Sequence, residues 1–180
     1  LNINGERTTY DESTYISDIL TEHAIDWLDE RDQDKPFFMY LSHKAVHSQF
    51  QPAKRHEGLY EEEEIVYPPS FDTPTYGTPE MPTAGADNAP LRGRDYYGDR
   101  RIPDWVKQQR ESWHGVDYMY HGDIDFEEFF QRYTETLMGI DESVGQVLDY
   151  LDTNGLAEDT LVIYMGDNGF SFGEHGLIDK

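Results

Sequence analysis

Residues 161–180 of the chain read LVIYMGDNGFSFGEHGLIDK, an apolar run followed by a polar turn, and this stretch gives the strongest indication of the fold. The run 161–165 predicts a buried strand of a parallel sheet. In open α/β sheets, ligands collect beyond the carboxyl ends of such strands, where Asp167 and Asn168 follow. Their side chains offer hard oxygen ligands for calcium or magnesium, and Lys180 adds a point charge suited to an oxyanion. An ordinary Asp-Asn-Gly turn is the alternative, so the stretch is a candidate metal-and-anion site.

Two amphipathic helices are predicted upstream of this stretch. The first follows Asp11, where apolar residues recur at helical spacing across residues 16–28 above a polar face. The second covers residues 126–151, with apolar residues in alternating steps of three and four. Asp125 is a candidate N-cap of the second helix, and Asn154-Gly155 predicts a left-handed C-terminal cap.

Each predicted helix leads into an apolar run, and both runs are predicted as strands. They cover residues 37–41, with the sequence FFMYL, and residues 160–165, with the sequence TLVIYM. The repeated helix-then-strand order predicts an α/β fold with a parallel sheet. Residues 48–124 lie between the two units, carry most of the prolines and show little sustained periodicity. Such a long irregular segment is usually functional or disordered.

The later part of this irregular segment mixes arginine with aromatic side chains. Arg94, Trp113 and His114 belong to this mixture. Sugar rings stack on aromatic rings and sulfates pair with arginine, so the three are candidate substrate-binding residues in a loop-rich insertion. The alternative is that these aromatic side chains only fix the segment to the rest of the domain.

The composition limits the classes of function. The chain has 180 residues, the size of one domain, and a net charge of −23 that argues against a nucleic-acid partner. It contains no cysteine, which excludes disulfides and thiolate metal sites within this sequence. No apolar run approaches the length of a membrane span, and the start has neither a signal-peptide pattern nor a methionine. We therefore expect the sequence to be a fragment of a longer protein.

Two ordered motifs resemble the sulfatase family. One is the spacing from Asp167 through Gly173-Glu-His-Gly176 to Lys180, and the other is PFFMYLSHKAVHSQFQP at residues 36–52. The resemblance covers most of the chain and is strongest to bacterial enzymes that act on sulfated glycans. It implies an α/β fold of the alkaline-phosphatase-like type, with part of a mixed, mainly parallel sheet flanked by helices. Residues 1–180 would then be a fragment of one sulfatase catalytic domain, incomplete in this chain, with 48–124 as its long insertion.

The resemblance also implies a calcium-dependent mechanism. Asp167 and Asn168 match two ligands of that ion, with calcium favoured over magnesium. Lys180 matches the lysine that contacts the sulfate, and His47 matches the histidine that stabilises or protonates the departing alcohol. By residue type alone, His47 could be an ordinary loop histidine and Lys180 a solvent-exposed lysine.

The nucleophile that the resemblance implies is absent from the sequence. Sulfatases of this kind use a formylglycine made from Cys or Ser. The chain has no Cys and no Ser in a Ser-x-Pro-x-Arg context. We therefore expect the formylglycine, and the remaining calcium ligands, in a missing N-terminal part of the same domain.

Two further residues are candidates for substrate binding. His175 lies in the Gly-Glu-His-Gly turn, which either orients its ring toward a sugar or only shapes the loop. Lys44 follows the first predicted strand, directly after His43. Because side chains alternate along extended backbone, His43 and Lys44 cannot both point in the same direction.

The function implied by these residues is the hydrolysis of sulfate esters on a sulfated polysaccharide or oligosaccharide, with the 180-residue segment alone predicted to be inactive. One alternative is a metal-dependent phosphodiesterase or phosphonate hydrolase of the same superfamily, which generally has a histidine where Asn168 stands. The other is a non-catalytic glycan-binding fragment. Export to the periplasm or the cell exterior is expected from the family, with no membrane span in this segment.

Overall fold

The computed structural model describes residues 1–11, 13–71, 97–98, 100, 102–112, 114–117 and 125–180. The chain divides into two compact units. Unit 1 consists of Leu1–Glu61 and Gln131–Ile163, and unit 2 consists of Glu62–Phe130 and Tyr164–Lys180.

Three α-helices are present in the described residues: α1 at Ile16–Glu30, α2 at Asp104–Arg110 and α3 at Phe126–Thr153. Helices α1 and α3 confirm the two predicted helices. Helix α2 lies within the segment 48–124 and was not predicted, because seven residues are too few to show a clear helical period.

The ends of α3 follow the predicted capping residues. Asp125 Oδ1 accepts a hydrogen bond from the backbone N–H of Glu128 at 2.9 Å, as an N-cap does. At the other end Gly155 has φ of 67°, and the N–H of Leu156 donates to the carbonyl of Leu151 at 2.8 Å. This left-handed cap confirms the prediction made from Asn154-Gly155.

In unit 1, α1 packs against the C-terminal part of α3. Thr21 Oγ1 lies 2.6 Å from Ser143 Oγ, and the Tyr150 hydroxyl donates to Asp29 Oδ1 at 2.7 Å. The residue numbers rise together along the two helices, so α1 and α3 run in the same direction. Leu28, 1% exposed, belongs to the core on this side of α1.

The segment predicted as the first strand is not paired into a sheet. From residue 37 to residue 44, half-buried and exposed side chains alternate strictly, which is the period of extended backbone. Its half-buried face rests on α1, where Phe37 meets the Trp27 ring edge-on at 6.2 Å. The opposite face is open, with Phe38 86% exposed and Tyr40 79% exposed. The strand prediction is therefore wrong for this chain, although the strand-like alternation is present.

The segment predicted as the second strand, 160–165, is also unpaired, and its burial was predicted wrongly. The apolar side chains from Leu161 to Met165 are 50% to 85% exposed. A central parallel strand is buried only when neighbouring strands and helices cover it. Among the described residues, no segment forms a ladder with either apolar run, so both lack the neighbours that would define them as strands.

Among the described residues, the strands form two short antiparallel pairs. Strand β1 at Asn2–Ile3 pairs with β2 at Glu6–Arg7, and β3 at Ser171–Phe172 pairs with β4 at Ile178–Asp179. Neither hairpin was predicted, because two-residue strands give no alternating pattern. The core of unit 2 contains Phe129, 0% exposed, and Ile178, 1% exposed. Across the described residues, the structure contains no helix with the length and apolar content needed to cross a bilayer.

Candidate active site

The proposed metal ligands lie at the bend that follows the exposed apolar run. Asp167 and Asn168 are adjacent and both exposed. Asn168 Nδ2 donates to the carbonyl of Gly169 at 2.7 Å, which leaves the amide oxygen as the atom available to a cation. A carboxylate beside an amide oxygen is the hard donor set that calcium accepts.

Two donors do not complete a coordination sphere. Within the part of the chain that the structure describes, no three His, Cys, Asp or Glu side chains come together as a metal site. Calcium takes six to eight oxygen ligands. Asp167 and Asn168 therefore fit the cation as a partial ligand set that other donors must complete.

The hairpin β3–β4 carries the backbone from this bend to Lys180. Phe172 pairs with Ile178, and Ser171 pairs with Asp179, so the residue before Lys180 is held in the ladder. The Lys180 side chain is exposed and forms no hydrogen bond or ion pair with the described residues. Its ammonium group is thus available to an external anion.

In unit 2, aromatic side chains pack against Phe172 of the hairpin. Phe172 lies 4.7 Å from Phe170, 5.2 Å from Phe130 and 6.0 Å from Phe129, measured between ring centroids. Phe129 and Phe130 belong to the first turns of α3, whose start is fixed by its N-cap. Phe130 is one of the apolar residues of the predicted helix 126–151, but the helical pattern does not indicate what its ring contacts.

The loop between β3 and β4 adopts an unusual backbone. Gly173 has φ of 89° and His175 has φ of 57°, both in the left-handed region. A Cβ atom on Gly173 would lie 2.4 Å from Phe71 Cδ2, so only glycine fits there. His175 is exposed, and its backbone N–H donates to Ser70 Oγ at 3.3 Å. The turn therefore does shape the loop, and the sugar-binding role of His175 stays a prediction.

Residues 114–116 run alongside this loop and extend its hydrogen bonding. Gly115 forms an antiparallel bridge with Leu177, and the N–H of Ile178 donates to the carbonyl of His114 at 2.7 Å. The His114 side chain meets Asp179, with 2.9 Å between Nδ1 and Oδ2. Arg94 and Trp113, the other two residues predicted to bind substrate in this segment, lie outside the described residues.

A buried arginine connects α2 to the residues around it in unit 2. Arg110 is 6% exposed, and its Nε donates to Asp117 Oδ2 at 2.8 Å. Its NH1 donates to the carbonyl of Phe71 at 2.9 Å, and the guanidinium lies 5.4 Å from the centre of the Phe71 ring. A buried arginine needs such partners, because an unpaired buried charge is costly. Sequence analysis missed this residue, since a charged residue on a seven-residue helix carries no sign of burial.

His47 and Lys44 lie in unit 1, in the turn that follows the alternating segment. The backbone N–H of His47 donates to the carbonyl of Lys44 at 2.9 Å. The ring Nδ1 of His47 lies 2.7 Å from the carbonyl oxygen of Ser48, so Nδ1 carries a proton and donates. Nε2 is then the ring atom left for a ligand. Both side chains are exposed.

The alternation between His43 and Lys44 occurs as predicted. His43 turns inward, with its Nε2 3.0 Å from Ser143 Oγ on α3, while Lys44 is exposed. Burial lowers the pKa of His43, so its ring is neutral near pH 7. His43 thus has a structural position, and Lys44 has the outward orientation that a substrate contact requires.

A charged cluster fixes the chain after His47 to both helices of unit 1. Arg55 NH1 and NH2 each donate to one oxygen of Asp18 on α1 at 2.8 Å, and Arg55 Nε donates to Glu142 Oε2 on α3 at 2.8 Å. His56, 5% exposed, lies with Nε2 2.9 Å from Glu142 Oε1. The pKa of Glu142 is lowered, chiefly by the hydrogen bond from Arg55. Sequence analysis missed this cluster, because its partners are up to 87 residues apart.

Comparisons with known proteins place these residues in a family. A family model described as Sulfatase matches residues 2–180. An N-acetylglucosamine-6-O-sulfatase of Bacteroides thetaiotaomicron is 27% identical over 94% of this chain and 36% of its own length. An N-acetylglucosamine-6-sulfatase of Bos taurus is 25% identical over 100% of this chain and 28% of its own length. A multifunctional alkaline phosphatase superfamily protein, PehA of Trinickia caryophylli, is 30% identical over 91% of this chain and 29% of its own length.

A solved structure extends the likeness to three dimensions. The structure of BT4656 in complex with its substrate, D-glucosamine-2-N,6-O-disulfate, superposes with a TM-score of 0.67 at 24% identity. The match covers 98% of this chain and 41% of the solved chain. At this identity the likeness concerns the fold, and it confirms the predicted class, part of an alkaline-phosphatase-like α/β core. The chain spans about a third of the length of the curated relatives it matches.

Proposed function

Because the chain belongs to the sulfatase family, we propose that it is part of an enzyme that hydrolyses sulfate esters on a sulfated carbohydrate. The observation that carries the proposal is the family match over residues 2–180 together with the exposed oxygen pair of Asp167 and Asn168. Two of the relatives are named as sulfatases of N-acetylglucosamine, which makes a 6-sulfated amino sugar the first substrate to test.

Asp167 and Asn168 would hold a calcium ion in this enzyme, with magnesium as the less suitable cation. Calcium tolerates the irregular, oxygen-rich geometry that a carboxylate and an amide provide. When bound, the ion supplies positive charge that stabilises both the nucleophile and the sulfuryl oxygens. The fixed amide of Asn168 keeps its oxygen, rather than its NH₂ group, directed away from Gly169.

Lys180 would bind the sulfate group. Its ammonium is a compact charge with three donors, and an anion is the partner that such a free group favours. Its place at the end of a hairpin, rather than on a long loop, fixes the backbone from which the side chain extends. The sulfate is common to every substrate, so Lys180 would contribute to binding whatever the sugar.

His47 would protonate the alcohol that leaves when the sulfur–oxygen bond breaks. With both ring nitrogens protonated, Nδ1–H remains bonded to the Ser48 carbonyl and Nε2–H is the proton available for transfer. After the transfer, the ring is neutral and already in the tautomer that its backbone partner stabilises. Water supplies the oxygen of the released sulfate and the proton that restores His47.

Further segments of the same catalytic domain would complete the enzyme. The sequence has no Cys, and no Ser in the Ser-x-Pro-x-Arg context from which formylglycine is made, so the nucleophile and the remaining calcium ligands would come from an N-terminal part of the domain. In unit 1, the exposed face of residues 37–44, with Phe38 and Tyr40, is the surface that a neighbouring strand would cover. Residues 1–180 would form one part of that domain, with 48–124 as a loop-rich insertion.

That insertion would face the substrate. Within it, Arg94 would supply a charge for sulfate and Trp113 a ring for a sugar. Lys44 and His175 lie outside the insertion, and their exposed side chains would also contact the substrate.

We place the enzyme in the periplasm or outside the cell, where calcium is abundant. Detecting the protein in a periplasmic or culture fraction would test this location.

The second candidate function is hydrolysis of phosphate diesters or phosphonates. It is favoured by the 30% identity to a multifunctional alkaline phosphatase superfamily protein. Asn168 favours sulfate instead, because phosphodiesterases and phosphonate hydrolases of the same superfamily generally have a histidine at this position. Glycan binding without turnover is the third outcome to consider.

The deciding experiment measures hydrolysis by the protein that contains this chain and its N-terminal part. N-acetylglucosamine-6-sulfate, an aryl sulfate and an aryl phosphate diester would be compared, with calcium present or removed by a chelator. We expect turnover of the sulfates, loss on chelation, and a large loss with Asp167→Ala. Faster turnover of the phosphate diester would favour the second function. Binding of the sugar with no turnover of any ester would favour the third.

A further inference from the structure

The backbone immediately before Lys180 is strained. Asp179, the last residue of β4, has φ of 95°, a conformation that residues with a Cβ atom rarely adopt. Such a conformation is unfavourable and persists only when surrounding contacts determine it. Its neighbour Ile178 is 1% exposed, so the strain begins where the hairpin leaves the core of unit 2.

The contacts that determine this conformation include His114. The Asp179 side chain is 14% exposed, and its Oδ2 lies 2.9 Å from Nδ1 of His114. The His114 carbonyl also accepts the backbone N–H of Ile178 at 2.7 Å. His114 therefore binds both residues that precede Lys180, Ile178 through its main chain and Asp179 through its side chain.

We propose that His114 is a positioning residue for Lys180, acting through Asp179, and that it does not bind the sugar. The Nδ1–H of His114 holds the Asp179 carboxylate, and this bond fixes the backbone turn from which the Lys180 side chain extends. The inference rests on the proposed role of Lys180 in sulfate binding. It replaces the substrate-binding role that sequence analysis predicted for His114.

The geometry separates the two roles of His114 by ring atom. The positioning role uses Nδ1, which faces Asp179, whereas a sugar contact would use Nε2 on a ring whose side chain is 57% exposed. Asparagine places its amide nitrogen near the position of Nδ1, and glutamine places its amide nitrogen near that of Nε2. His114→Asn and His114→Gln are therefore a matched pair of variants.

The substrate also separates the two roles. Lys180 would contact the sulfate, which a sulfated sugar and a small aryl sulfate have in common. A displaced Lys180 lowers kcat/KM for both substrates by a similar factor. Loss of a sugar contact lowers kcat/KM for the sugar and leaves the aryl sulfate unchanged.

The test uses the sulfatase that contains this chain with its N-terminal part, assayed with both substrates. We expect His114→Ala and His114→Gln to lower kcat/KM by about 10- to 100-fold for both substrates. A displacement of the Lys180 ammonium by about 1 Å would have an effect of this size. His114→Asn should recover most of that loss. In a Lys180→Ala background, His114→Ala should add little, because the residue it positions is already absent.

Three results would overturn the inference: full activity of His114→Ala, recovery by glutamine rather than asparagine, or a loss confined to the sugar. If His114→Ala does not fold, the asparagine and glutamine variants still decide the matter, with thermal melts confirming that both are folded. Failure of the proposed function is seen separately, as a wild-type protein that does not hydrolyse either sulfate or a fully active Lys180→Ala variant. Either result would also overturn the positioning role of His114, because that role depends on sulfate binding by Lys180.

Discussion

The two regions that carry the candidate catalytic groups are held in place by different forces. In unit 1, the chain after His47 is fixed by charges: Arg55 joins Asp18 and Glu142, and His56 meets Glu142. In unit 2, the hairpin before Lys180 is fixed by backbone pairing and by phenylalanine rings that pack edge-on or tilted against Phe172. Salt and pH should therefore change the stability of the first region, whereas changes of side-chain volume should change the stability of the second.

The largest expected effect comes from removing the ring beneath the hairpin. Phe129→Ala deletes a side chain that is 0% exposed and should lower the free energy of unfolding by about 3–5 kcal/mol. Chemical denaturation measures the change. Leu59→Ala, which truncates a side chain 52% exposed, is the control and should change it by less than about 1 kcal/mol. Equal losses in the two variants would contradict the proposed packing.

The next largest effect comes from adding one methyl group to the loop of the hairpin. Gly173→Ala places a Cβ 2.4 Å from Phe71 and imposes a side chain on φ of 89°. Together these should cost about 2–4 kcal/mol of unfolding free energy. Gly169→Ala is the matched control, because its Cβ would meet nothing within 4 Å. A melting temperature that is the same in both variants would show that the loop can relax.

A smaller effect is expected in the charged cluster of unit 1. Arg55→Ala removes a side chain that is 43% exposed, so the loss should be roughly 1 kcal/mol and should shrink in 1 M salt. The loss in Gly173→Ala should not shrink in the same buffer. Denaturation at low and high salt measures both. Salt dependence of equal size in the two variants would remove the distinction between the regions.

Acid should affect the same cluster through Glu142. Its pKa is lowered in the folded state, so its contribution to stability is present above the usual value of 4.5 and is lost as the pH falls through the folded value. When the pH is lowered from 6 to below the folded-state pKa of Glu142, the wild type should therefore lose more unfolding free energy than Glu142→Gln. Parallel pH profiles of the two proteins would contradict a charged anchor at this position.

The smallest expected effect concerns His43. Burial lowers its pKa, so the unfolded chain binds a proton more readily than the folded chain as the pH falls below the ordinary value of 6.5. Stability should decrease from pH 7.5 to pH 5.5 by slightly more in the wild type than in His43→Gln. Thermal melts at the two values measure the difference. A larger decrease in the variant would reverse the assigned sign.

Sequence reasoning found the elements whose pattern is local. Helices α1 and α3 span several turns, and the caps at Asp125 and Gly155 use the adjacent backbone, so each could be predicted from neighbouring residues. The exposed state of 160–165 could not, because burial of a strand depends on neighbours that are distant in sequence.

The candidate site shows the same limit. The positions of Asp167, Asn168 and Lys180 followed from a motif of 14 residues read along one stretch of chain. The partner of His114 did not, since Asp179 lies 65 residues away and only the fold brings the two side chains together. Histidine, aspartate and arginine have many surface roles, so their residue types alone do not indicate which pairs will form.

The exposed apolar run at 161–165 has a consequence for the behaviour of the chain in solution. It is an uncharged stretch of β-prone side chains that forms no ladder with the described residues, which makes it a template for cross-chain pairing. At neutral pH the net charge of −23 keeps copies apart. As the pH approaches the isoelectric point near 4.4, that repulsion disappears and self-association through this run becomes the favoured outcome. The acidic surface thus keeps the chain from associating through the exposed run 161–165 at neutral pH.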